Sequence, residues 1–196
     1  MKLISLLEKL EYTCLQGSTD QEVKNVIYDS RKVEEGSLFI CIRGAVVDGH
    51  KFVPDVVAKG AKVLIVEEAV EAPEDVTVIL VKDTRYAMAF ISAAYFGYPA
   101  EKLKTIGITG TKGKTTTTYM VKSILENAGY KVGLIGTIEA IIGDKVIPAK
   151  NTTPESYVIQ EYFHEMAEAG CDCVVMEVSS QGLMLHRTQG FVFDFG

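Results

Sequence analysis

One short stretch constrains this chain more than any other: Gly110-Thr111-Lys112-Gly113-Lys114-Thr115-Thr116-Thr117. An apolar run over 103–109 leads straight into Gly110, and a helical pattern over 115–128 follows, ending near Gly129. The spacing predicts a strand, a glycine-rich turn and a helix, which is the context a phosphate-cradling loop requires. Glycines let the backbone curl so that successive N–H groups converge on an anion. The helix N-terminus adds donors without partners inside the helix, and a favourable dipole. Lys114 is placed to reach the β- and γ-phosphates of ATP, and the Thr115 hydroxyl to ligate Mg²⁺. Gly110, Thr111, Lys112, Gly113, Lys114, Thr115 and Thr116 are therefore the expected nucleotide-binding residues. Lys114 and Thr115 are expected to act in catalysis as well, by neutralising charge that shifts during phosphoryl transfer. The wording departs from the general G-x-x-x-x-G-K-[ST] pattern: Ile108 stands where its first glycine would be, and Gly107 and Gly110 are present instead.

The rest of the chain reads as alternating strands and helices, which argues for a mostly parallel sheet. After the loop, 131–136 is a second strand, Thr153-Pro154 opens a helix with proline in its first turn, and 173–178 is a third strand. That helix is expected to carry Val158, Tyr162, Phe163 and Met166 on one face and to stop at Gly170. Glu177 then falls at the C-terminal end of a parallel strand, the edge where ligands of open α/β sheets bind. It is expected to hold Mg²⁺ directly or through water; the competing reading is a strand-end carboxylate facing solvent. Before the loop, 37–42, 62–66 and 76–81 read as strands, and 1–10, 52–59 and 84–96 as helices. Gly97-Tyr98-Pro99-Ala100 breaks the pattern, so the predicted domains are 1–99 and 100–196. The expected fold class is α/β: a small N-terminal α/β domain, then part of a P-loop central domain.

Charge and composition narrow the partners. A net charge of −6 over 196 residues argues against broad nucleic-acid or anionic-membrane binding, which needs clustered Lys and Arg. No apolar stretch approaches the roughly 18–20 residues of a membrane span, and no secretory signal is visible, so a cytoplasmic protein is expected. Cys14, Cys41, Cys171 and Cys173 lack C-x-x-C spacing and read as ordinary thiols rather than a zinc site.

The G-T-K-G-K-T-T-T wording resembles that of the Mur ligases. Three further segments carry the resemblance: Tyr28-Asp29-Ser30-Arg31, Asn151-Thr152-Thr153-Pro154, and Met176-Glu177-Val178-Ser179-Ser180 with His186-Arg187. The Asp48-Gly49-His50 turn before Phe52 also fits, so the resemblance spans essentially the whole chain. It points to the branch of the family that adds the third residue of the peptidoglycan stem peptide.

The resemblance implies that the N-terminal domain grips the UDP end of UDP-MurNAc-L-Ala-D-Glu, with Ser30 in contact. It implies that Asn151, Thr152, Thr153, Ser179 and Arg187 line the rest of that substrate's site. It also implies the reaction: ATP phosphorylates the D-glutamate carboxylate, and the amine of a diamino acid, meso-diaminopimelate or L-lysine, attacks the acyl phosphate. Because the family continues past the position of Gly196, the chain is expected to be a fragment that is inactive alone. Two alternatives accompany this reading: a nucleotide or UDP-sugar binding module without activity, and the sister ligase adding D-Ala-D-Ala. Among single residues, 151–154 also suits a helix cap and 29–31 an ordinary turn. His50 and His186 read as structural, and His164 as inert on a helix's polar side.

Overall fold

The computed structural model describes residues 1–44 and 47–196, and the chain folds as two compact units, Met1–Tyr95 and Phe96–Gly196. In the first unit, β1 (Thr13–Gln16), β2 (Asn25–Ile27), β3 (Ser37–Ile40), β4 (Val63–Val66) and β5 (Thr77–Leu80) form one sheet in the order β1-β5-β4-β3-β2. β2 to β5 run parallel, and β1 closes the β5 edge antiparallel. All residues of β3 and β4 are buried, as parallel strands covered on both faces must be. One face packs Phe39, Leu64, Val66 and Val78 against Val53 and Val56 of α2 (Val53–Ala58), where Pro54 occupies the first helical turn. α3 (Thr84–Tyr95) buries Ala87, Met88 and Ile91 and packs against α1 (Leu3–Leu6).

The N-terminal helix is shorter than the sequence pattern over 1–10 predicts. The amides of Leu3 and Ile4 donate to the carbonyls of Gln21 and Thr19, and Leu10 N–H turns back to Leu7 O. These bonds pin one helical turn to the 19–22 segment, and Leu3, Leu6 and Leu7 still enter the core.

In the second unit, β6 (Lys104–Ile108), β7 (Val132–Ile135), β8 (Glu139–Ile142), β9 (Lys145–Pro148) and β10 (Cys173–Glu177) pair in the order β6-β10-β7-β8-β9. β10 lies parallel between β6 and β7, and β8–β9 is an antiparallel hairpin added to the β7 edge. α4 (Lys114–Asn127) packs on β7 and β10 through Val121 and Leu125. On the other side of β6 the chain returns, with Gly107 N–H donating to Phe195 O and Asp194 receiving Thr105 N–H at 2.8 Å.

α5 (Ser156–Glu168) starts later than expected, with Glu155 as its N-cap rather than a start at Thr153-Pro154. The reason is that the Thr153 hydroxyl is engaged at the end of β10, donating to Glu177 O at 3.0 Å and accepting Ser179 N–H at 2.9 Å. The buried face is also rotated from the expected one: Ser156, Ile159, Gln160, Phe163 and Met166 are buried, while Val158 and Tyr162 are half-buried. A short α6 (Ser180–Met184) follows β10, capped by Ser179 Oγ, which accepts Gly182 N–H at 3.0 Å. Among the described residues no helix is long and apolar enough to cross a membrane.

Candidate functional site

β6 ends at Ile108 and α4 begins at Lys114, so residues 109–113 make the turn between them. Gly110 has φ 141° and Gly113 φ 81°, values that L side chains rarely adopt. A Cβ at Gly113 would meet nothing within 4 Å, and at Gly110 only Lys112 O at 3.7 Å. Backbone conformation, not crowding, therefore demands these glycines, and the space above the loop is open. Lys114 Nζ donates to Gly110 O at 2.9 Å, arching its ammonium across the turn. The first amides of α4 have no carbonyl of their own helix to receive them. Thr111, Lys112 and Thr116 are exposed, and Thr115 is half-buried. Ile108 needs no glycine's freedom, because it is a strand residue in register with Glu177.

Glu177 is fully buried, which overturns the reading of a solvent-facing strand end. Its Oε2 accepts the Thr115 hydroxyl at 3.0 Å, and its Oε1 accepts Thr137 N–H at 2.9 Å. The Thr137 hydroxyl lies 3.0 Å from Oε2. Among the described residues no Lys or Arg forms an ion pair with this carboxylate. A buried carboxylate held only by neutral donors is costly unless a cation joins it. The pairing of one carboxylate with one loop hydroxyl fits Mg²⁺, which takes one or two protein carboxylates and completes its shell with phosphate oxygens and water. No group of three or more His, Cys, Asp or Glu is placed to hold a metal among the described residues, so a cage made wholly of protein ligands is not what the donors offer.

Thr137 and Gly136 stand against the Glu177 carboxylate, a contact that nothing in the sequence pattern marks. A Cβ at Gly136 would stand 2.6 Å from Glu177 Oε1, so glycine is required for the carboxylate to lie where it does. Tyr119 of α4 donates its hydroxyl to Glu139 Oε1 at 2.8 Å; burial first, and then that carboxylate, push its pKa up to about 12.

The residues expected to line a substrate site fall beside this edge with different exposures. Asn151 is exposed, and the half-buried Thr152 hydroxyl sits 3.1 Å from Thr137 Oγ1. Thr153 is 1% exposed with its hydroxyl engaged on backbone at both ends, so it braces the segment against the end of β10. The Ser179 hydroxyl caps α6. Arg187 donates NH1 to Thr153 O at 2.9 Å and NH2 to Glu155 Oε1 at 2.7 Å, with its side chain 12% exposed. Its planar fork thus holds the 153–155 segment in position.

In the first unit, Ser30 lies in a separate cleft of about 490 Å³ bordered by Tyr28, Asp29, Arg31, Phe39 and Phe52. Asp29 accepts Arg31 Nε–H at 2.9 Å and NH2 at 2.8 Å, and this fork lowers its carboxyl pKa to about 2. His50, beside the cleft, has Nδ1 2.6 Å from Asp48 Oδ1 and accepts Glu67 N–H on Nε2 at 3.0 Å. Both ring nitrogens are thus committed to holding the loop, Nε2 as an acceptor and Nδ1 as the donor.

Comparison with known proteins matches both units. The family model "Mur ligase family, catalytic domain" matches residues 22–96, and "Mur ligase middle domain" matches 108–196. A relative from Clostridium perfringens, UDP-N-acetylmuramoyl-L-alanyl-D-glutamate--2,6-diaminopimelate ligase, is 52% identical over the whole of this chain and 40% of its own length. The protein of the same name from Clostridium tetani is 48% identical over the whole chain and 41% of its own length. The chain thus spans about 40% of the length of these curated relatives. Among solved structures, a UDP-N-acetylmuramoyl-L-alanyl-D-glutamate--2,6-diaminopimelate ligase aligns over 97% of this chain and 38% of its own, with TM-score 0.78 and 22% identity, a likeness of fold. The UDP-N-acetylmuramoylalanyl-D-glutamyl-2,6-diaminopimelate--D-alanyl-D-alanyl ligase from Acinetobacter baumannii aligns over 91% of this chain and 36% of its own, with TM-score 0.62 and 27% identity.

Proposed function

This chain belongs to the Mur ligase family, and we propose that it supplies the UDP-MurNAc-gripping and phosphate-binding parts of an ATP-dependent amide-bond ligase. The substrate is UDP-MurNAc-L-Ala-D-Glu, and the incoming amine belongs to a diamino acid. The names of the similar clostridial proteins favour diaminopimelate over L-lysine, and over D-Ala-D-Ala as the added unit. One observation carries the reading: a glycine-turned loop, crossed by Lys114, whose Thr115 hydroxyl bonds the buried Glu177 carboxylate, with which no Lys or Arg pairs among the described residues.

ATP supplies the phosphoryl group that turns the D-glutamate carboxylate into an acyl phosphate, and Mg²⁺ offsets the charge of the phosphates. The tasks assigned to this chain fall to its side chains and amides. The loop amides and Lys114 seat the terminal phosphates, and preorganised donors of this kind need no rearrangement as charge shifts. Thr115 and Glu177 would hold the cation. The 151–153 segment, braced by Arg187 through Glu155 and Thr153 O, presents Asn151 and Thr152 to the substrate. The cleft at Ser30 takes the UDP end in the first unit. No side-chain nucleophile is required; positioning and charge stabilisation carry the catalysis.

Calorimetry with Mg·ATP and, separately, with UDP-MurNAc-L-Ala-D-Glu tests the reading on this chain. Saturable binding of both is expected, with Ser30→Ala weakening only the UDP compound. Failure of both ligands to bind overturns the proposal.

A further inference from the structure

We propose that Thr137 is a positioning residue that ties the Glu177 carboxylate to Thr152 of the 151–153 segment, so that what fills the phosphate side is felt at the substrate side. The inference rests on the reading of 110–116 as a nucleotide-phosphate site. Thr137 stands just past the end of β7, at the sheet edge where β6 and β10 also end. Its N–H donates to Oε1 at 2.9 Å and its hydroxyl lies 3.0 Å from Oε2, so one residue grips both oxygens of a fully buried carboxylate.

Proton counting sets the direction of the chain. A hydroxyl has one proton and an ionised carboxylate only accepts, so Thr137 donates to Glu177. Its lone pairs then accept the Thr152 hydroxyl, 3.1 Å away. Thr115 donates to the same Oε2 at 3.0 Å from the loop side. Thr152, Thr137 and Glu177 therefore form a one-way relay that meets the phosphate loop at a single oxygen.

There is little slack in this arrangement, because a Cβ on Gly136 would already stand 2.6 Å from Oε1. A cation drawn to Thr115 and Glu177 shifts the oxygen on which Thr137 depends, and Thr152 must follow. Bonds in such chains polarise one another, and the coupling between the two sides is reciprocal.

Two variants separate the hydroxyl from the shape of residue 137. Thr137→Val keeps the branched shape and the N–H but loses the hydroxyl, while Thr137→Ser keeps the hydroxyl. ATP is titrated into each by calorimetry, once with Mg²⁺ and once with EDTA. Thr137→Val is expected to lose about tenfold in Mg·ATP affinity and Thr137→Ser about twofold or less, both unchanged in EDTA. No loss in the valine variant, or equal losses in both, overturns the proposal. Failure of the underlying phosphate reading looks different: Lys114→Ala would then bind Mg·ATP as well as the unaltered chain.

A second measurement needs no nucleotide. Urea midpoints are compared for Thr137→Val, Thr152→Val and the double variant. The relay predicts that the double variant unfolds where Thr137→Val alone does, and additive losses overturn the link to Thr152. Should Thr137→Val fail to fold, Thr152→Val reads the relay from its outer end. It is expected to weaken Mg·ATP about threefold, and unchanged affinity overturns the proposal.

Discussion

Gly136→Ala adds one methyl group and tests the sheet edge without touching the phosphate loop. Gly136 has no positive φ, so alanine meets no backbone strain there. Its Cβ would lie 2.6 Å from Glu177 Oε1 and 3.4 Å from Glu177 Cδ. The carboxylate cannot yield freely, because Thr115 and both groups of Thr137 hold it at 2.9–3.0 Å. Overpacking of a filled site costs about 1–3 kcal/mol. Breaking the Thr137 N–H bond to a charged oxygen costs about 1.5–3 kcal/mol. One displacement relieves the clash and breaks the bond, so the two costs overlap, and a loss of about 2–4 kcal/mol is expected. For a unit of this size that corresponds to a fall of about 10–25 °C in Tm. Differential scanning calorimetry reads the stability, and ATP titration with and without Mg²⁺ reads the site. A variant that melts within a few degrees of the parent, with its Mg²⁺-dependent affinity intact, refutes the argument that Gly136 and Thr137 fix Glu177.

Three further expectations follow from the same geometry. Gly113→Ala has open space around the new methyl group, so its cost is conformational alone, about 1–2 kcal/mol, and a denaturation curve unchanged from the parent would contradict the φ of 81°. The Asp29 carboxyl should titrate near 2 by carbon-detected NMR and move back toward 3.8 in Arg31→Ala. Its contribution to stability is present above 3.8 and is lost as pH falls through about 2, so a titration near 3.8 in the parent would deny the Arg31 fork. Arg187→Ala removes the two bonds that the guanidinium donates to Thr153 O and Glu155 and should cost about 2–3 kcal/mol in urea unfolding, whereas a neutral result would mean that the fork braces nothing.

Local pattern was enough to read the strand, glycine turn and helix around 110–116, because strand, glycines, lysine and helix are consecutive in the chain. β3, β4 and β10 were legible for a related reason: a strand buried on both faces is an unbroken apolar run. The hairpin of β8 and β9 went unread, although Gly143-Asp144 between Ile142 and Lys145 is a two-residue turn signal and Gly143 has φ 57°. β1 is largely exposed and β2 has three residues, so neither leaves a periodic trace.

The site divides along the same line. Glu177 was placed at a strand end by pattern, but its burial depends on α4 and the Gly136-Thr137 turn covering it. The Thr137 contacts join residues 15 and 40 positions apart in sequence, which no spacing rule encodes. Thr153 and Arg187 belong to the segments that the resemblance marked. Sequence could not say that the Thr153 hydroxyl turns inward onto Glu177 O, or that Arg187 meets Glu155.

The central claim concerns the loop itself, and a crystal structure of this chain grown with Mg²⁺ and a non-hydrolysable ATP analogue tests it most directly. The terminal phosphates should lie against the amides of 111–116 beneath Lys114, with a cation between the Thr115 hydroxyl and Glu177. Nucleotide bound elsewhere, with the loop empty and Lys114 still on Gly110 O, would contradict the account.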